Sequence, residues 1–226
     1  MIKFFVKTLL RLSGKTLQKN NIAVTGSLEF LKRKRPVPAT YFDYIRLSSL
    51  ELVSHKINSN NITGNVAEVG VFRGDFASFI NGYFPGRKLY LFDTFEGFDK
   101  RDISVEKQND FSEGNQDFSN TSIDIVLKKM PYPEMCIPQK GYFPETAKDL
   151  EDIFVFISLD TDLYQPIYDG LKFFYPRLAK GGYIFVHDFN NDSYKGAKKA
   201  VEQFCAEQDI SFVPIADICG TCIITK

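Results

Sequence analysis

From residue 66 onward the chain alternates short, nearly unbroken apolar runs with longer segments whose apolar positions recur every three or four residues. The runs are VAEVGV (66–71), KLYLFD (88–93), MCIP (135–138), IFVFISLD (153–160) and GGYIFVHD (181–188). Runs of this kind predict strands covered on both faces, with MCIP the weakest of them. DFASFINGYF, PIYDGLKFFYPRL and GAKKAVEQFCAEQD carry helical spacing between and after them. YFDYIRLSSLELVSHKI carries it ahead of the first strand, through Tyr44, Leu47, Leu50 and Ile57. SFVPIA and TCIITK close the chain as a hairpin joined through DICG. The order predicts an α/β fold: a seven-stranded, mostly parallel sheet with helices on both faces and an antiparallel edge hairpin. Ligands of such sheets bind beyond the carboxyl ends of the strands.

Two segments do not follow the alternation. The first, MIKFFVKTLLRLSGKTLQK, sets Lys3, Lys7, Arg11, Lys15 and Lys19 at steps of four among apolar residues, and KRKR follows at 32–35. A basic amphipathic helix of this type could lie on an anionic membrane surface, though it is too short and too charged to span one. The alternative is docking on its own domain or on a second subunit. The chain therefore divides into an extension, 1–40, and a domain, 41–226. The second, GFDKRDISVEKQNDFSEGNQDFSNTS (97–122), is polar and acid-rich. It reads equally as a solvated loop with a helical turn or as a lid over a ligand.

Composition narrows the function only a little. The 226 residues suit one domain with a substantial core. Lys plus Arg and Asp plus Glu both number 28, which gives no general case for a nucleic-acid partner. The four cysteines come without a secretory signal, so a reducing cytoplasm is expected. Cys219 and Cys222 have CxxC spacing, but no second pair stands nearby and no helix start follows, so they read as ordinary strand residues.

The strand ends carry the candidate chemistry. EVGVFRG holds Glu68, Gly70, Arg73 and Gly74 at the first strand-to-helix turn. It is not the GxGxxG fingerprint of dinucleotide sites, and a glutamate suits an ammonium or sulfonium group better than a pyrophosphate. A tight turn without a ligand is the alternative. Asp93 ends the second strand, where an acid accepts hydrogen bonds from ribose hydroxyls, with Thr94 and Phe95 beside it. Its alternative role is an N-cap. Glu68 plus Asp93 describe a pocket for a cationic amino acid joined to a nucleoside, and S-adenosylmethionine is the candidate. Asp160 and Asp162 leave the fourth strand, and His187 and Asp188 leave the fifth. Neighbouring strands would bring these acids together, where they repel unless a divalent cation joins them. Oxygen ligands favour magnesium or calcium, and an imidazole tilts the choice towards manganese, iron or zinc. An N-cap for Asp162 and a hydrated turn for Asp188 are the alternatives.

EVGVFRG, LFDTFEGF, LDTDLYQPIYDGLKFFYPRLAKGGYIFVHDF and GAKKAVEQF, in that order, resemble the TylF/macrocin O-methyltransferase family across roughly residues 45–210. The resemblance implies a Rossmann-like class I methyltransferase that moves a methyl group from S-adenosylmethionine to a sugar hydroxyl. It implies a divalent metal, usually magnesium, and an oligomer. It makes Asp160 a metal ligand, Asp162 the general base, and His187 and Asp188 further ligands. The family usually has two aspartates where this chain has His187 and Asp188, which opens the identity of the metal. The rival acceptors are a catechol, to which the adjacent-hydroxyl logic applies equally, and a lipid-linked glycan. A silent S-adenosylmethionine-binding module is the rival from outside enzymes.

Overall fold

The computed structural model describes residues 44–226, so the basic extension and its membrane-surface reading lie outside the described residues. Helix α1 (Tyr44–Ser59) buries Leu47, Leu50, Val53 and Ile57 along one stripe, as its spacing predicts. It also buries Arg46, a charged residue on the same stripe.

Seven strands follow: β1 (Asn65–Val69), β2 (Leu89–Asp93), β3 (Cys136–Lys140), β4 (Phe154–Leu159), β5 (Leu178–Val186), β6 (Val213–Pro214) and β7 (Cys222–Thr225). The helices among them are α2 (Asp75–Tyr83), α3 (Lys100–Gln108), α4 (Ile123–Leu127), α5 (Tyr164–Arg177) and α6 (Lys195–Gln208). The sheet runs β3-β2-β1-β4-β5-β7-β6, parallel as far as β5, with β7 antiparallel to β5 and β6 antiparallel to β7. The fold is the mixed α/β sheet that the alternation predicts. The closing hairpin is present, but its outer strand has only two residues, and both are exposed. Cys136, Ile137 and Pro138 of MCIP belong to a paired edge strand, half-buried as the weak signal suggests, while Met135 ends the 3-10 turn before it.

Phenylalanine fills both faces of the sheet. On one face Phe84 of the α2 end stacks on Phe156, with ring centroids 5.6 Å apart, and Phe156 meets Phe185 at 5.0 Å. On the other, Phe174 of α5 packs edge-on against Phe154 at 5.0 Å and Phe92 at 6.0 Å. These rings bury wholly apolar area, which is the main stabilising term of such a core.

The order reverses between β1 and β4, the crevice where sheets of this type bind ligands. Backbone bonds hold the strand tips level there: Gly70 N–H donates to Phe92 O (2.9 Å), Asp160 N–H to Val69 O (2.9 Å) and His187 N–H to Leu159 O (2.9 Å). Residues just past each strand therefore emerge in one row. Gly70 makes the closest approach. Its φ is +84°, and a Cβ there would sit 2.0 Å from Asp160 O. Gly70→Ala is expected to cost roughly 3 kcal/mol or more, from left-handed strain and overpacking. A denaturant midpoint equal to that of the parent chain would contradict this.

Gly74 behaves differently from its predicted role. A Cβ on it would meet Val126 Cγ1 at 2.9 Å and Met130 Cε at 3.0 Å, so its missing side chain makes room for α4. It does not line the crevice.

Candidate active site

A cavity of about 410 Å³ opens over the row of strand tips, within the usual range for small-molecule sites. Glu68, Gly70, Arg73, Asp93 and Thr94 line it, and so do Asp160, Asp162, His187 and Asp188. Gly74 and Phe95 are the two predicted site residues that do not. Phe95 is buried, and its backbone N–H serves Asp93.

Asp93 is held open-handed. Its Oδ2 accepts from Phe72 N–H (2.8 Å) and its Oδ1 from Phe95 N–H (2.7 Å). It is not an N-cap, since Asp99 caps the helix that follows. Both of its oxygens keep a free lone pair for a pair of hydroxyls. Glu68, within β1 and two residues before Gly70, is 1% exposed. Burial, then the nearby Asp160, pushes its carboxyl well above the usual range. Its Oε2 has no hydrogen-bond partner among the described residues. A buried carboxyl oxygen without a hydrogen-bond partner, on a residue that lines the cavity, fits a cationic ligand group, and with Asp93 it fits the two ends of S-adenosylmethionine.

The acids of the fourth and fifth strands do converge. One donor atom each from Asp160, His187 and Asp188 lies within 4.8 Å of the other two. His187 Nδ1 is 3.0 Å from Asp160 Oδ1 and 2.7 Å from Asp188 Oδ2. Asp188 is buried, and its Oδ1 accepts from Asn191 Nδ2 (2.7 Å). Two carboxylates and one imidazole form a donor set that suits a divalent cation, so the residues present fit the ion that the sequence suggests.

Charge is unevenly held within the group. Burial opposes ionisation of Asp160, but Arg46 and His187 outweigh it and keep its carboxyl below the ordinary range. For Asp162 burial acts in concert with Asp188 and Asp160, and its carboxyl is pushed well above that range. Burial works against a charged His187 ring, yet Asp160 and then Asp188 raise it to about 10. Carboxyls driven apart in this way are suited to different tasks.

Asp162 is not the N-cap of α5, a position held by Leu163. It stands at φ +61°, and Asp188 at +60°, Phe72 at +48° and Phe95 at +55° share that conformation. Non-glycine residues held there cost about 1–3 kcal/mol each and gather at functional sites. Part of the holding comes from Glu106 of α3, whose Oε1 accepts from Tyr164 N–H (2.7 Å) just past Asp162.

Several lining residues escaped the sequence reading. Phe118 packs edge-on against Phe72 and Phe98, with centroids 5.1 Å away in both cases. Tyr194 meets Phe98 at 6.2 Å and donates its hydroxyl to Gln116 Oε1 (2.9 Å). The segment 97–122 thus supplies a capped helix and part of the cavity wall, rather than a solvated loop alone. Cys222 is a buried strand residue as expected, whereas Cys219 sits in the preceding turn and borders the cavity. Arg46 is the other omission. The spacing 46, 50, 53, 57 would have put it on the buried stripe of α1, which is a signal in its own right.

Comparison with known proteins gives consistent results. The sequence profile described as Macrocin-O-methyltransferase (TylF) matches residues 32–226. Demethyldecarbamoylnovobiocin O-methyltransferase of Streptomyces niveus is 24% identical over 187 residues, covering 74% of this chain and 67% of that one. The 8-demethyl-8-(2,3-dimethoxy-alpha-L-rhamnosyl)-tetracenomycin-C 4'-O-methyltransferase of Streptomyces olivaceus is 25% identical over 189 residues, 78% of this chain and 70% of that one. Among solved structures, the O-methyltransferase NovP superposes with a TM-score of 0.66 at 21% identity, covering 80% of this chain and 79% of its own.

Proposed function

Because the chain belongs to the macrocin O-methyltransferase (TylF) family, and is thereby an S-adenosylmethionine-dependent O-methyltransferase, we propose that it methylates a sugar or glycoside hydroxyl with the help of a divalent metal. The observation that carries this is the group Asp160, His187 and Asp188 facing the same cavity as Asp93 and Glu68. The names of the relatives support a glycoside acceptor, one of them specifying a rhamnosyl group.

In this reading Asp93 accepts hydrogen bonds from the donor's ribose hydroxyls, and Glu68 Oε2 receives its ammonium group. Asp160, His187 and Asp188 would hold the cation, which when bound supplies positive charge that lowers the pKa of an acceptor hydroxyl. Asp162 takes the hydroxyl proton as the oxygen attacks the methyl carbon. The carbon–sulfur bond breaks towards sulfur, leaving S-adenosylhomocysteine. Asp162 is the suitable base because it lines the cavity beside Asp160, His187 and Asp188 without belonging to the group that would hold the ion. The aromatic wall of Phe72, Phe98, Phe118 and Tyr194 keeps water from the transfer. Since the donor is already activated, most of the remaining acceleration is positioning.

The test is an acceptor panel with S-adenosylmethionine and magnesium or manganese: glycosides with adjacent hydroxyls, their monohydroxy counterparts and catechols. A methyl ether on the adjacent-hydroxyl glycosides, with one S-adenosylhomocysteine per product, is the expected result. Turnover of catechols alone would overturn the sugar assignment. Tight donor binding with no methylated product from any acceptor would favour a binding module.

A further inference from the structure

Arg46 has no part in the chemistry above and does not line the cavity, yet it is 3% exposed directly behind the acidic group. Its Nη2 donates to Asp160 Oδ2 at 3.0 Å and to Ser158 Oγ at 3.3 Å. The guanidinium lies over the Phe76 ring, 3.8 Å from its centroid. Its Nε makes no hydrogen bond among the described residues. A buried charge is costly, and a brace for the fold alone would be expected to satisfy its donors more fully.

The geometry points to Arg46 as a positioning residue for methyl transfer: it clamps one oxygen of Asp160 so that the other alone faces His187. With Oδ2 held by Arg46, rotation of the carboxylate is blocked, and Oδ1 is left 3.0 Å from His187 Nδ1. Asn191 does the same for Asp188 by taking Oδ1 and leaving Oδ2 towards the same nitrogen. Each carboxylate thus presents a single oxygen, and the donor atoms form one defined face. One nitrogen of the guanidinium, Nη2, serves both Ser158 and Asp160 while the group lies over Phe76, whereas a lysine ammonium offers a compact point charge with no plane to set over the ring.

This rests on the reading of the cavity as a methyl-transfer centre, and a double-mutant cycle separates the two. Arg46→Gln and Arg46→Lys are made in the parent chain and in Asp160→Asn, with thermal melting to confirm folding. In the parent chain, Arg46→Gln is expected to lower kcat about 100-fold, the scale of a small misplacement, and Arg46→Lys to lower it less. In the charge-preserving Arg46→Lys, KM for S-adenosylmethionine stays within about threefold, because Asp93 is untouched and Glu68 keeps a positive charge nearby. In the Asp160→Asn background the Arg46 change adds no more than about twofold, since the residue it acts through is already altered. Manganese affinity, followed by electron paramagnetic resonance, gives the same cycle without turnover. It shifts by more than about threefold in the parent and not in Asp160→Asn. Should Arg46→Gln fail to fold, the charge-preserving Arg46→Lys decides. Unchanged kcat and manganese affinity in a folded variant, or equal losses in both backgrounds, would overturn the inference. A parent chain that methylates nothing would instead count against the proposed function, and the manganese cycle would still judge Arg46.

Discussion

Asp162→Asn is expected to bind S-adenosylmethionine as tightly as the parent chain while turnover falls about 10²–10⁴-fold, the usual weight of a general base. The substitution is chosen to isolate the proton. Asparagine matches aspartate in size and tolerates the left-handed conformation that residue 162 adopts at φ +61°. The backbone turn between β4 and α5, pinned by Glu106, therefore survives the change. What is lost is a carboxylate whose proton affinity is raised by burial and by Asp188 and Asp160. Single-turnover methyl transfer beside calorimetric donor binding makes the comparison. A rate within threefold of the parent would remove Asp162 from the role of base.

Removal of divalent cations is expected to lower turnover about 100-fold or more, with recovery on adding magnesium or manganese. The several kcal/mol that a bound cation contributes to developing negative charge correspond to a factor of that size. Without an ion, the charge balancing Asp160 and Asp188 comes from Arg46 and the His187 ring, and neither is free to engage an acceptor oxygen. Donor binding should survive chelation, because Asp93 and Glu68 are not among the residues that would hold the ion. Rates in excess chelator equal to those of untreated protein would show that the imidazolium alone suffices, and the metal assignment would fall.

The periodicities of the chain were sufficient for its architecture. Apolar runs of strand length, separated by helix-spaced segments, have few ways to bury themselves other than a parallel sheet covered on both sides. Acids placed directly after apolar runs mark strand tips in the sequence itself. That is why Asp93, Asp160, Asp162, His187 and Asp188 are legible as residues that one cavity gathers. The rest was not legible for a consistent reason. Gly74 looked like a ligand-approach glycine, but its neighbour is Val126 on α4, a contact that local spacing does not encode. Phe95 looked like an adenosine contact, but its positive φ turns it into the core and leaves only its N–H to Asp93.

By itself, then, the sequence determined which segments are strands and helices, and which charged residues stand at strand ends. Backbone geometry and the exclusion of apolar groups from water act over a few residues at a time. Only the tertiary structure decided the pairings: Glu68 beside Ser158 in register, Phe118 on Phe72, Cys219 at the cavity, and Arg46 on an aspartate 114 positions away. Such contacts depend on strand order and register, which are settled when distant segments close on one another and not by the residues on either side.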